Sequence, residues 1–109
     1  MPTVYKILGQ VNPTAATLST LYTVPASNST VVSTLNICNL NTAPVTVRVA
    51  CRPAGETLAN THYVVYDTLV GASDAIALTL GMTLSNTDIV SVFANTSGVN
   101  FTLFGSEIY

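Results

Sequence analysis

Charge is what this 109-residue sequence has least of: three Lys and Arg and five Asp and Glu make 7% of the chain ionisable, against about 25% in an ordinary soluble domain. Lys6, Arg48 and Arg52 are the only cations and the formal net charge is -2. Such a chain offers no basic field for phosphates, so no nucleic-acid partner is expected. Long hydrophobic runs are missing too, because Thr, Ser or Asn interrupts every stretch well before about 18 residues. That excludes a helical membrane span, and no membrane partner is expected. The opening residues, MPTVYKILGQ, lack a basic region followed by an apolar segment of signal-peptide length. Synthesis in the cytoplasm without a signal peptide is the expectation.

The residues of common catalytic and metal sites are equally sparse. His62 is the only histidine, and Cys38 and Cys51 do not form a CxxC turn, which leaves no zinc ligand set. The carboxylates Glu56, Asp67, Asp74, Asp88 and Glu107 are scattered at expected strand ends, where such groups satisfy turn amides, and no Asp-x-Asp-x-Asp spacing supports a calcium loop. A Ser-His-Asp set can be drawn from His62, Asp67 and several serines, but there is no Gly-x-Ser-x-Gly elbow and no glycine-rich phosphate loop. We therefore expect no catalytic residue, no cofactor and no metal, and a chain that is not an enzyme. Three Asn-x-Ser/Thr triplets, at Asn28, Asn95 and Asn100, are chance matches in so Thr-rich a sequence.

What the chain does contain is Thr, Ser and Asn between Val-rich runs, a composition that suits strands and turns and disfavours helix interiors. The stretch Thr30 to Pro53 is the clearest case, with two β-branched arms joined by Asn-Leu-Asn-Thr-Ala-Pro. Alternation puts Val31, Ser33, Leu35 and Ile37 on one face of the first arm, and Val45, Val47, Val49 and Cys51 on one face of the second. It reads as a central β-hairpin whose apolar side needs a second layer. Pairing Ile37 with Val49 would point Cys38 and Cys51 in opposite directions, so two free thiols are expected, with Cys51 a small core residue.

Other strands are expected at residues 3–9 (an edge strand or an arm within 1–12), 17–24, 62–70, 75–80 and 89–104, the last a hairpin around Thr96-Ser97-Gly98. Pro13, Pro25 and Gly71 fall between these runs, and Arg52-Pro53-Ala54-Gly55 fits a type I turn. Apolar residues on both faces of 62–70 suggest an interior strand or a subunit contact. Met82 and Leu84 are expected to plug the end of the core. Seven or eight short strands with no helix indicate an all-β, single-domain antiparallel β-sandwich spanning residues 1–109. So few charges would leave its sheet edges unprotected. For partner contact the candidates are Arg48 and Arg52, able to grip a carboxylate on another chain, together with Asn36, Tyr5 and Tyr109. The five tyrosines offer stacking surfaces for a sugar, but with no tryptophan for a platform, core or subunit packing is the expected use.

The segments LYTVPASNSTVVSTLNICN (21–39), RVACRPAG (48–55), HYVVYDTLVGASDAIALTLGMTLSNTDIVSVFA (62–94) and FGSEI (104–108) resemble small virion structural proteins of tailed phages, notably cyanobacterial phages. The resemblance implies a β-sandwich that decorates or cements a capsid, often as a trimer at the junctions between capsomers. Its partners would be the major capsid protein and copies of itself, and its location the capsid surface of the virion. Related β-domains occur in fibres and other tail parts, so the alternative it implies is a tail module that binds a host receptor or glycan. No functional residue carries over, because the family has no catalytic motif to match.

Overall fold

The computed structural model describes residues 3–79 and 81–109. The described residues form nine strands: β1 (Thr3–Val11), β2 (Ser19–Thr23), β3 (Ser29–Asn39), β4 (Val45–Arg52), β5 (Tyr63–Val70), β6 (Ala75–Leu78), β7 (Thr83–Leu84), β8 (Ile89–Ala94) and β9 (Val99–Ile108). Two 3-10 turns, Pro53–Gly55 and Asn60–His62, lie between β4 and β5. The first sheet runs β1-β9-β3-β6, with the two-residue β7 also on β3, and the second runs β2-β8-β4-β5. All pairs are antiparallel. Counting β6 and β7 as one interrupted strand, this is the connectivity of a jelly roll, in which the chain keeps stepping between two four-stranded sheets. The expected antiparallel sandwich is present.

The expected central hairpin is not. Arms β3 and β4 belong to different sheets, and Ile37 faces Phe101 across the ladder rather than Val49. Each arm has one greasy face, and the two faces cover each other across the sandwich instead of lying side by side. Asn39 makes the crossing possible. Its buried amide nitrogen lies 2.9 Å from the Ala43 carbonyl, 3.3 Å from that of Val70 and 3.0 Å from that of Gly71, while its side-chain oxygen accepts the Asn41 N–H at 2.9 Å. One side chain thus satisfies backbone groups that a hairpin would have paired. The expected 89–104 hairpin is also a crossing, from β8 in the second sheet to β9 in the first. The two crossings are tied together: Asn41 donates to the Ser97 carbonyl at 2.8 Å and the Leu40 N–H to that of Gly98 at 2.8 Å.

Bulges change which residues face inward. In β3 the register shifts between Val32 and Thr34, so Val32 is buried and Val31 exposed, whereas Leu35 and Ile37 point into the core as their alternation predicts. Opposite the shift lies Gly105, where an added Cβ would come within 2.2 Å of the Val31 carbonyl oxygen. Val45, Val47 and Val49 are buried as expected, in one core cluster with Phe101 and Leu103 of the facing sheet and with Val92, the ladder partner of Val49. Met82 and Leu84 are core residues, as expected; Leu80, the last residue of the expected 75–80 strand, lies outside the described residues. Strand β1 is an edge strand, one of the two roles foreseen for it, while β5 is an edge rather than an interior strand. At Pro53–Gly55 the Glu56 N–H bonds the Pro53 carbonyl at 3.0 Å with positive φ at both Ala54 (53°) and Gly55 (70°). That is the pattern of a type I′ turn and not of the type I turn expected one residue earlier. Cys38 and Cys51 are free thiols: Cys38 stands on the outer face of the first sheet, whereas Cys51, in the second sheet, packs against the core with its sulfur 3.0 Å from that of Met82.

Candidate functional site

The five candidate contact residues do not form one surface. Asn36 and Tyr5 lie on the outer face of the first sheet, Arg48 and Arg52 on the outer face of the second, and Tyr109 follows β9 with its hydroxyl donating to Glu107 at 3.2 Å. A hairpin would have put Asn36 beside the arginines; the crossing after β3 puts the thickness of the sandwich between them.

The outer face of the first sheet is built from cross-strand rows. Tyr5, Ser106 and Val31 make one row, and Ile7, Phe104 and Thr34 the next. Gln10, Thr102, Asn36 and Ala77 follow, then Asn100, Cys38 and Ala75. Among the described residues, no Asp, Glu, Lys or Arg stands in these rows, although they cross four strands. Its apolar half, where Tyr5 is 84% exposed and Ile7, Val31 and Phe104 are also exposed, holds a groove of about 530 Å³. Lys6 borders the groove, but its ammonium bonds the Glu107 carboxylate at 2.8 Å. Charge depletion with aromatic and aliphatic exposure is the composition of the centre of a protein–protein contact.

Glu107 closes the same end of the sandwich from inside. It is 2% exposed and accepts hydrogen bonds from Lys6, from the Tyr22 hydroxyl at 2.5 Å and from Tyr109. The Tyr22 hydroxyl, reaching from the second sheet, also lies 2.8 Å from the Thr30 hydroxyl. The bond from Lys6, followed by that from Tyr22, holds the Glu107 carboxyl below the usual carboxylate range. Burial, and then the bond to Glu107, push Tyr22 up to about 12. This polar network joins the sheets and has the satisfied geometry of a structural element.

On the second sheet a bulge organises a different cluster. Val47 pairs with Thr68 and Val49 with Val65, so Arg48 faces both Tyr66 and Asp67, whose φ is 49°. Arg48 donates to Asp67 through Nε at 2.6 Å and Nη2 at 3.3 Å. Its guanidinium carbon lies 4.4 Å from the Tyr66 ring centroid and 4.8 Å from that of Phe93. Arg52 donates to the Ser91 hydroxyl at 3.1 Å and the Glu56 carbonyl at 3.2 Å. Both guanidiniums are therefore engaged within the chain. Phe93 and Asp67 were not foreseen as neighbours of Arg48, because the β4–β8 register and the β5 bulge decide that they meet it, and neither leaves a mark in local alternation.

Cys51 lacks the marks of an activated nucleophile. Burial pushes the Cys51 thiol up, the opposite of what a reactive thiolate needs. His62 is buried, accepts the Ala59 N–H at Nδ1 (3.1 Å) and sits 3.4 Å from Glu56, which fixes the loop before β5. Among the described residues no three His, Cys, Asp or Glu side chains cluster as a metal site, and no helix is long and apolar enough to cross a membrane. Compared with known proteins, the chain matches no protein-family model and no curated sequence.

Proposed function

We propose that the chain is a non-enzymatic structural subunit of a phage virion, a decoration protein that binds the outer surface of the head and associates with copies of itself. The observation that carries the reading is the uncharged outer face of the first sheet, with its groove between Tyr5, Ile7, Val31 and Phe104. Contacts that bring few charges out of water avoid large desolvation costs, and repetition over a closed oligomer and a shell multiplies a modest contact into firm attachment. The likeness of residues 21–39, 48–55, 62–94 and 104–108 to small phage virion proteins supports the same reading. Jelly rolls occur among viral capsid and lectin domains alike, so topology supports a virion role without selecting a location.

A second reading, a fibre or tail module that recognises a receptor or glycan, is favoured by the exposed Tyr66 and the half-buried Tyr63 of β5. Separating heads from tails of purified particles and probing each with an antibody to this chain tests both. Decoration requires the protein on heads, in copy number matching a shell lattice; presence on tails alone overturns it.

A further inference from the structure

We infer that the outer face of the second sheet carries a binding site for a neutral sugar ring, formed by Tyr63 and Tyr66 of β5 and by Asn60 of the preceding 3-10 turn. These three residues line a cavity of about 380 Å³, near the small end of the ~300–1,000 Å³ range of ligand pockets. The tyrosine rings stand 4.9 Å apart at 75°, which makes a corner rather than a stack. A pyranose has an apolar C–H face and a rim of hydroxyls. One aromatic wall suits the face, and the second ring meets its edge.

The corner is held in place before any ligand arrives. Tyr66 is 57% exposed, yet Arg48 lies against its ring, and Arg48 is fixed by Asp67 and Phe93. Asn60 belongs to a turn anchored by the buried His62 through the Ala59 N–H. Preorganisation of this kind lowers the ordering cost of binding. Charge indicates the ligand class. Arg48 and Asp67 neutralise each other beside the pocket, and none of the three lining residues is a Lys, Arg, Asp or Glu, so the pocket offers no ion pair to a charged ligand. The Asn60 amide and the two tyrosine hydroxyls supply donors and acceptors for uncharged hydroxyls. Without a tryptophan and with an open corner, a single ring binds weakly, on the order of a millimolar Kd, and repeated copies raise the avidity. The inference stands whether the chain sits on heads or on tails.

The test uses the purified full chain and a panel of methyl glucopyranosides and galactopyranosides with maltose, lactose and cellobiose as probes, followed by amide NMR and by tyrosine fluorescence, which no tryptophan masks. Amide shifts confined to residues around 60–66 are expected with at least one sugar. Tyr66→Ala then weakens binding about tenfold or more, Tyr66→Phe stays within about threefold of wild type, and the exposed Leu40, substituted by Ala, leaves sugar affinity unchanged; circular dichroism confirms that each variant is folded. The inference fails if no sugar in the panel shifts these amides, if the shifts map elsewhere, or if folded Tyr66→Ala binds as well as wild type. Burial of the corner against a neighbouring protein in the particle would also overturn it.

Discussion

Glu107→Ala is the perturbation that best separates structural from incidental polarity in this fold. The carboxylate is 2% exposed and bonds the Tyr22 hydroxyl, so the side chain of one sheet grips that of the other. A hydrogen bond to a charged group contributes about 1.5–3 kcal/mol. The Lys6 pair is left out of that figure, because water screens the exposed ammonium. Unfolding entropy near 2.1 cal/mol/K per residue converts each kcal/mol into roughly 4 °C for a domain of this size. The expected fall in Tm at neutral pH is therefore about 6–13 °C, read by differential scanning calorimetry. The pH dependence carries the sign. Lys6 and Tyr22 depress the folded-state pKa of Glu107, so its contribution is present above the unfolded value near ~4.3 and disappears as pH falls through the folded value. The wild-type and Glu107→Ala curves should converge on acidification. A gap that stays constant from neutral to strongly acidic pH would refute the assignment of the stabilisation to the ionised carboxylate.

Tyr22 predicts the mirror image at alkaline pH. Its folded-state pKa is raised to about 12, so its contribution is complete below the unfolded value near ~10 and is lost as pH rises through the folded one; Tyr22→Phe should flatten that alkaline limb in urea titrations. Asn39→Ala strands the carbonyls of Ala43, Val70 and Gly71 at the β3–β4 crossing, with an expected cost of about 1–3 kcal/mol in equilibrium denaturation. Combined Tyr5→Ser and Ile7→Ser substitutions should change stability by only about ±0.5 kcal/mol, as exposed positions do. The same pair should lower occupancy on isolated heads, and undiminished occupancy would remove the first-sheet face from the decoration reading.

The elements were legible in the sequence; their pairing was not. Alternation located β2, β4, β6 and β8 to within a few residues and identified Val45, Val47, Val49, Leu35 and Ile37 as core. It failed at Val31, which a register shift turns outward while Leu35 and Ile37 stay inside. A bulge adds one residue without changing local composition, so period-two counting has no means to register it. The two expected hairpins failed for a related reason. A short polar connection joins two paired strands or two facing ones equally well, and the deciding group is the buried Asn39 side chain, which looks like ordinary turn chemistry in one dimension. Arg48 was found and its meeting with Phe93 and Asp67 was not, since both reach it across strands.

The low charge count predicted unprotected sheet edges, and here the structure supplies a geometric defence in place of an electrostatic one. The register of β1 shifts at Leu8, that of β2 at Leu21 and that of β5 opposite Arg48, while β6 is only four residues long. All four edge strands are thus bulged or short, and either feature breaks the regular ladder that another chain would extend. This bears directly on how the protein meets its neighbours. With edges blunted by backbone geometry and one broad face free of charge, association through side chains on the face is favoured over strand addition. Contacts of that kind keep each subunit's ladder intact, so a folded domain can join or leave an assembly without opening its own sheets.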